Sequence, residues 1–206
     1  MKTFENKILI LFAHPALQNS RVNIQLIDYV KDLEGVTFHD LYEEYPDFNV
    51  DVKHEQNLLT EHDIVIFHHP LLWFSVPALL REWMDLVFQH MWAYGKTGNA
   101  LQGKKLFNVV TVGGGEQLFQ HDGTHGNTLV EFLAPIRQAV RMCGMDFLPP
   151  FAVYGTRTIT KEEVEAHGED YRNLLIALRD GKVDIDAVRS LQRINLDLDN
   201  IITAGG

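Results

Sequence analysis

The chain is poor in cysteine and in positive charge, and both shortages narrow what it can be. Cys143 is the only cysteine, which excludes a disulfide within one chain and any cluster held by several cysteines. The 18 basic side chains are outnumbered by 28 acidic ones, which leaves a net charge of −10. Because nucleic-acid binding depends on Lys and Arg that neutralise phosphates, we expect no nucleic-acid partner.

Long hydrophobic runs are also missing. No segment approaches the roughly 18 uninterrupted apolar residues of a membrane span, and the start, MKTFENKILILFAHP, lacks the cleavage site of a signal peptide. We therefore expect a cytoplasmic protein. Its 206 residues, 46% of them hydrophobic, suit one globular domain, predicted over residues 1–180 with residues 181–206 as an extension of the same domain.

Several common functional motifs are absent. There is no G-x-G-x-x-G after the first strand and no G-x-x-x-x-G-K-[ST], which disfavours a classical dinucleotide domain and a nucleotide triphosphatase. A Ser-His-Asp hydrolase lacks its G-x-S-x-G elbow. His62, His68 and His69 have no accompanying H-E-x-x-H or cysteine pattern, so we expect no metal site.

What the sequence does contain is an alternation of strands and helices, which predicts a parallel sheet covered on both faces. The predicted strands are Lys7–Ala13, Val36–His39, a run from Ile64 that stops at His69-Pro70, Lys105–Val112, and Met145–Tyr154 broken by Pro149-Pro150. The predicted helices are Arg21–Leu33, one that starts near Ser75 and Pro77, a stripe from Leu129 to Val140 interrupted at Pro135, and Lys161–Arg179 capped by Thr160 and Glu163. Residues Leu41–His62 are a polar and aromatic segment around a predicted turn at Pro46-Asp47.

Three loops at the predicted strand ends carry unusual residues. Ser20 and its amide neighbours precede a helix N-terminus, a place suited to anions, although a plain N-cap would look the same. Trp73-Phe74 presents aromatic surface or plugs the core. Gly113-Gly114-Gly115 either exposes main chain that a flat ligand can approach closely or forms a flexible turn. Together the three loops favour a mononucleotide with a planar ring, and flavin is the natural candidate.

The segments AHPALQNSRVN, LYEEYPDFNVD, HPLLWFSVPALL, WAYG, TVGGGE, GTHGN and LPPFAVYG resemble those of the flavodoxin-like NAD(P)H:quinone oxidoreductases. The resemblance is greatest to the ancillary oxidoreductase subunits of bacterial glutathione-regulated potassium-efflux antiporters. It implies an α/β, flavodoxin-like fold with a five-stranded parallel sheet in the order 2-1-3-4-5 and helices on both faces. It also implies FMN, or FAD, as cofactor and a homodimer with active sites at the subunit interface.

The same resemblance implies a role for each matching residue. Phosphate contacts are expected from His14, Ser20 and Asn23, and ring stacking from Pro70, Leu71, Leu72, Trp73 and Phe74. Main-chain donors to the ring are expected at Thr111, Gly113, Gly114 and Gly115. Tyr94, Phe119 and His125 are expected to line the substrate pocket, with His125 and Tyr94 as catalytic residues. Phe119 stands where animal quinone reductases have tyrosine, and a phenyl ring cannot donate a hydrogen bond.

Three functions follow as hypotheses. The first is a ping-pong reaction in which a hydride from NAD(P)H passes through flavin N5 to a quinone. The second is a regulatory ancillary subunit of a potassium-efflux antiporter, peripheral to the inner membrane face, with redox activity secondary. The third is a flavodoxin-type electron carrier, which the loop before Pro77 and the Met91–Gly103 insertion disfavour because both would enclose the flavin.

Overall fold

Apolar segments build a parallel sheet at the centre of residues 3–203, the part of the chain that the computed structural model describes. The strands are β1 (Ile8–Phe12), β2 (Val36–Asp40), β3 (Ile64–Pro70), β4 (Lys105–Thr111), β5 (Asp146–Phe147) and β6 (Phe151–Val153). The helices are α1 (Arg21–Asp28), α2 (Leu41–Glu44), α3 (Val52–Glu61), α4 (Ala78–Val87), α5 (Leu129–Phe132), α6 (Ala134–Met142), α7 (Lys161–Arg179), α8 (Ile185–Arg189) and α9 (Leu198–Ile201).

The sheet has the order β2-β1-β3-β4-β5, and β6 also pairs with β4. All of these pairs are parallel. The predicted fold class and strand order are therefore confirmed. The break at Pro149-Pro150 is confirmed too, because β5 and β6 pair with successive parts of β4 on either side of it.

The side chains of β1 divide the core into two layers. Leu9 and Leu11 are buried with residues of α3, α4 and α6, whereas Ile8 and Ile10 are buried with residues of α1 and α7. Alternation of this kind is the period of a strand covered on both faces. Burying each such side chain stabilises the fold by about 1.5–3 kcal/mol.

The polar and aromatic segment Leu41–His62, for which the sequence analysis names no helix, contains α2 and α3. Asp51 caps α3 by accepting a hydrogen bond from the His54 amide. The face that α3 buries consists largely of Glu55, Gln56 and Leu59. Since two of these three are polar, the hydrophobic period that reveals a helix in sequence is hidden.

At three other places, the observed boundary of a strand or helix differs from the predicted one. β3 includes Pro70, and its ladder continues because the Leu71 amide donates to the Thr111 carbonyl at 2.9 Å. α4 takes Pro77 as its N-cap and receives no side-chain cap from Ser75. α1 ends at Asp28, before the predicted end at Leu33. The helix break at Pro135 is confirmed, since that proline lies in the first turn of α6.

The capping box of α7 is confirmed. The Thr160 hydroxyl accepts from the Glu163 amide, and the Glu163 carboxylate accepts from the Thr160 amide. α7 has 19 residues, many of them charged on its outer face. No helix within residues 3–203 is long and apolar enough to cross a membrane.

The extension packs on the same face of the sheet as α1 and α7, where Val188, Ile194 and Ile201 are buried in their apolar cluster. The Asn195 side chain pairs with the backbone of Ala152 in β6, accepting from its amide at 3.1 Å and donating to its carbonyl at 2.9 Å. Residues 1–2 and 204–206, at the ends of the predicted domain and extension, lie outside the described residues.

A buried carboxylate joins α3 to α4. Glu55 is fully buried and accepts from the Tyr45 hydroxyl at 2.5 Å, from Trp83 Nε1 at 2.8 Å and from His39 Nε2 at 2.8 Å. Burial alone would raise the pKa of Glu55, but these hydrogen bonds outweigh it and hold the pKa below its usual value. His39, His54 and Glu55 place their possible ligand atoms within 4.8 Å of one another. Both oxygens of Glu55 are already used, however, so we interpret the group as a structural network.

Replacing either of two buried tyrosines by phenylalanine removes one hydroxyl, and we expect opposite effects on the free energy of unfolding. The Tyr171 hydroxyl is buried without a hydrogen-bond partner among the described residues, so Tyr171→Phe should leave the free energy of unfolding unchanged or raise it by about 1 kcal/mol. Tyr45→Phe removes a hydrogen-bond donor to Glu55, so it should lower the free energy of unfolding by about 1–3 kcal/mol. Urea denaturation measures both, and equal losses would contradict this interpretation.

Candidate functional site

The loops after β1, β3 and β4 meet at one edge of the sheet. The Ala13 amide donates to the His68 carbonyl, and the Leu71 amide donates to the Thr111 carbonyl, both at 2.9 Å. Parallel neighbours with matched ends place their following loops side by side. The three loops that the sequence singles out are therefore adjacent, as predicted.

The first loop offers hydrogen-bond donors to an anion. Ser20 is the N-cap of α1 and accepts from the Asn23 amide at 3.3 Å. Within the described chain, the amides of Arg21 and Val22 in the first turn have no acceptor. His14 Nδ1 accepts from the Ala16 amide at 3.1 Å, which leaves the proton of the neutral ring on Nε2. Burial lowers the pKa of His14, so this donor is uncharged at neutral pH.

Asn23 holds this loop against β3 and β4. Its side chain is 2% exposed, and Nδ2 donates to the Ser20 hydroxyl at 2.8 Å and to the Thr111 hydroxyl at 3.0 Å. Its Oδ1 lies 3.2 Å from His68 Nε2. Both amide hydrogens of this side chain are thus committed to protein groups, and the side chain orients Ser20 in place of offering a free donor.

The second loop is a strained turn that carries the aromatic pair. Leu72 and Ser75 exchange backbone hydrogen bonds of 3.0 Å in both directions, and the two residues between them, Trp73 and Phe74, have φ of +50° and +63°. A two-residue hairpin with both central residues at positive φ normally uses Asn and Gly. Trp73 is 95% exposed, so the alternative that it plugs the core is excluded.

The third loop combines free amides with crowded glycines. In the described part of the chain, the amides of Gly113, Gly114 and Gly115 donate to no protein acceptor. A Cβ on Gly114 would lie 2.9 Å from Leu118 Cδ1, and one on Gly115 would collide with the Gln117 side chain. Both contacts involve the ends of flexible side chains that can shift, and a Cβ on Gly113 would approach no atom closer than Arg157 Nε at 3.3 Å, so local packing alone does not account for three successive glycines.

An aromatic cluster surrounds His125. Its ring lies 5.0 Å from that of Phe74 and 4.8 Å from that of Phe119. Phe132 stacks on Phe74 at 4.9 Å, and Tyr154 lies 5.8 Å from Phe119. Sequence reasoning assigned Phe132 to a helix face and Tyr154 to a strand end, and it missed both as site residues. The carboxyl-terminal position of Tyr154 beside β6 was the available signal.

Tyr94 lies elsewhere. It borders a groove between α4 and α6 with Phe88, Met142 and Cys143, and its described ring contact is with His90 at 5.4 Å. No ring contact joins it to His125 within residues 3–203. The structure thus brings Phe74, Phe119 and His125 together within one chain, and Tyr94 remains apart from them.

The residues at this edge fit a phosphorylated, planar ring. Hydroxyl, imidazole and helix-terminal donors suit a phosphate in a protein of net charge −10 because they need no basic patch. Free amides of the glycine loop suit the polar edge of a ring, and Trp73 and Phe74 suit its face. The donor set therefore matches flavin mononucleotide.

Residues 6–175 match the model of a family described by its flavodoxin-like fold. The chain belongs to this family. It is 43% identical over 170 residues to the glutathione-regulated potassium-efflux system ancillary protein KefF of an Enterobacter species, covering 82% of this chain and 95% of that protein. The predicted resemblance is thereby confirmed.

Solved structures show the same likeness. One is described as a thermophilic tryptophan halogenase from Streptomycin violaceusniger (39% identity, TM-score 0.79, 82% of this chain and 98% of that one). Another is general stress protein 14 of Treponema denticola in complex with FMN (36%, 0.78, 84% and 99%). A third is an NADPH-quinone reductase from P. pentosaceus (30%, 0.74, 82% and 96%). Since one fold hosts several reactions, the reaction has to be argued from the site.

The aromatic turn predicts a stability cost at Trp73. Trp73→Asn replaces an exposed residue at positive φ by one that tolerates this conformation, so the free energy of unfolding of the ligand-free protein should rise by about 1 kcal/mol. Phe74→Asn is the matched control. It gains the same backbone relief but loses the stack on Phe132, so its free energy of unfolding should be about 1 kcal/mol lower than that of Trp73→Asn. A Trp73 variant less stable than the parent protein in urea denaturation would refute the assigned strain.

Proposed function

We propose that this protein is an FMN-dependent NAD(P)H:quinone oxidoreductase. The observation that carries the proposal is the meeting of three features at one sheet edge, namely free donors around Ser20, free amides at Gly113–Gly115 and the exposed Trp73-Phe74 turn. The FMN complex and the quinone reductase among its structural relatives support it. When bound, FMN would accept a hydride at N5 from NAD(P)H and pass it to a quinone that takes the same place, in ping-pong order.

Each loop has a proposed part in holding FMN. His14 Nε2, the Ser20 hydroxyl and the first amides of α1 donate to the phosphate, while Asn23 orients Ser20. The segment Pro70, Leu71, Leu72, Trp73 and Phe74 packs against the ring. Thr111 and the amides of Gly113, Gly114 and Gly115 face its polar edge. Fixed amides of this kind stabilise negative charge without reorganising.

His125 is the proposed acid–base group. Its ring lies against those of Phe74 and Phe119, and neither of these two side chains can exchange a proton with it. A histidine beside the substrate can donate a proton near neutral pH. Phe119 then shapes the pocket through contact alone.

A homodimer is proposed to complete the site. Tyr94 has no ring contact with His125 among the described residues. Met142, which lines the same groove as Tyr94, is 57% exposed, and Met91, whose amide donates to the Tyr94 carbonyl, is 47% exposed. Exposed apolar side chains near a groove are typical of a subunit interface. In this arrangement Tyr94 of one subunit reaches the substrate held near His125 of the other.

A second function is favoured by the 43% identity to KefF. The protein would then bind the inner face of a potassium-efflux antiporter and increase its activity. Potassium efflux from vesicles that contain such an antiporter, measured with and without this protein, tests the idea. Equal efflux would remove it, and the oxidoreductase proposal would be unaffected.

The first experiment is an absorption spectrum of the purified protein, with chromatography of any released pigment. We expect flavin bands, FMN as the pigment, and NAD(P)H oxidation that requires a quinone. His125→Ala should lower kcat/KM on the order of 10²-fold, whereas His121→Ala, on the exposed loop nearby, should not. Colourless protein that takes up neither FMN nor FAD would overturn the proposal.

Mixing two inactive variants tests the shared site. Tyr94→Phe and His125→Ala should each reduce quinone reduction in their own homodimers. A mixed dimer has two sites, one that carries both substitutions and one in which both side chains are intact. After exchange of subunits, each mixed dimer should therefore show up to about half of the activity of a parent dimer. A mixture that stays as inactive as its components would show that Tyr94 and His125 do not act across subunits.

A further inference from the structure

A chain of polar groups runs from the interior of the sheet to the proposed phosphate loop. It begins at His68 in β3, which is fully buried, and passes through Asn23, which is 2% exposed. Nε2 of His68 lies 3.2 Å from Asn23 Oδ1, and Asn23 Nδ2 lies 2.8 Å from Ser20 Oγ and 3.0 Å from Thr111 Oγ1. The described contacts of the His68 ring are with Asn23, Phe12 and Tyr171.

The orientation of the Asn23 amide sets the direction of the hydrogens along this chain, with Nδ2 facing Ser20 and Oδ1 facing His68 and, at 3.3 Å, the Thr111 hydroxyl. Asn23 Oδ1 can only accept, so His68 Nε2 has to carry the ring proton. With the proton on Nδ1 instead, two acceptors would face each other and a buried N–H would lack a partner, since Nδ1 has none among the described residues. Burial lowers the pKa of His68 to about 3, so the ring stays neutral under ordinary conditions.

This direction determines what Ser20 can offer. A hydroxyl has two acceptor sites and one hydrogen. Ser20 Oγ accepts from Asn23 Nδ2 at 2.8 Å and from the Asn23 amide at 3.3 Å. Both acceptor sites are then occupied, and the hydroxyl hydrogen has to point away from Asn23. It is left free to donate to a ligand oxygen.

A purely structural side chain at this position would not need to be polar. The His68 ring is packed edge-on against Phe12 at 5.0 Å and Tyr171 at 5.5 Å, surroundings that suit an apolar residue. Its Nδ1 has no described partner, and a buried unsatisfied acceptor is unfavourable. The presence of an imidazole here is accounted for by the hydrogen bond that its Nε2–H donates to Asn23.

We propose that His68 is a positioning residue for the phosphate of the flavin cofactor. Its Nε2–H fixes the Asn23 amide, the amide occupies both acceptor sites of Ser20, and the Ser20 hydroxyl is thereby directed at the phosphate. This inference rests on the proposed function, because it concerns the phosphate part of the same cofactor site.

The test compares two ligands that differ only in the phosphate. FMN and riboflavin are titrated into apoprotein. The dissociation constant of riboflavin divided by that of FMN measures how much the phosphate contributes to binding, and this quotient is the ratio used below. His68→Leu removes the donor to Asn23, so FMN affinity should fall about tenfold and riboflavin affinity should change little. His68→Gln keeps an N–H donor and should restore most of the ratio. Urea denaturation of each apoprotein measures stability separately.

Ser20→Ala provides the second arm. It removes the final hydroxyl near the protein surface and should lower the ratio by the same factor as His68→Leu. The double variant should lose no more than either single one, because both act through one hydrogen bond. An unchanged ratio in His68→Leu, failure of His68→Gln to restore it, or additive losses would overturn the inference. Parent protein that binds neither flavin would overturn the proposed function itself.

Discussion

The site depends on the register of β1, β3 and β4. Phe12, the last residue of β1, pairs with His68, and Pro70 pairs with Thr111 at the ends of β3 and β4. The strands therefore end within two residues of one another, and their loops share one edge. Side chains alternate along a strand, and a shift of one residue exchanges its two faces. In the present register His68 reaches Asn23, whereas its neighbour His69 reaches Asn108 on β4 at 3.0 Å. The hydrophobic layers on both faces of the sheet therefore also decide which imidazole lies behind the phosphate loop.

The fold carries several locally unfavourable features at this edge. Two aromatic residues occupy left-handed backbone conformations, Trp73 is almost fully exposed, and a fully buried imidazole nitrogen of His68 has no described partner. Similar features occur away from it, at Phe48 and Met91 with positive φ and at the Tyr171 hydroxyl, which has no described partner, whereas the box formed by Thr160 and Glu163 agrees with local preference. Such conflicts concentrate where a protein is selected for more than stability. Those at this edge lie beside the donors and rings that would hold a flavin.

Much of the fold can be predicted from the sequence because the strands are covered on both faces. An unbroken apolar run such as Lys7–Ala13 is typical of a central parallel strand. α3 could not be predicted, since its inner face carries Glu55 and Gln56. The loops that hold the site could be located, but not the directions of their side chains. The exposure of Trp73 depends on the sign of two φ angles, and the place of Tyr94 depends on packing between distant helices, neither of which leaves a periodic pattern.

The pairing of Asn195 with Ala152 has a consequence for assembly. An unpaired strand edge is a template for another chain, and β6 lies on the far side of β4 from β3. The Asn195 amide takes up both the N–H and the carbonyl of Ala152, as a neighbouring strand would. The extension thus caps the edge strand β6 and ends the sheet at this point. Copies of the protein have to associate through helices or loops here, and continuous sheets that run from one molecule into the next are blocked along β6.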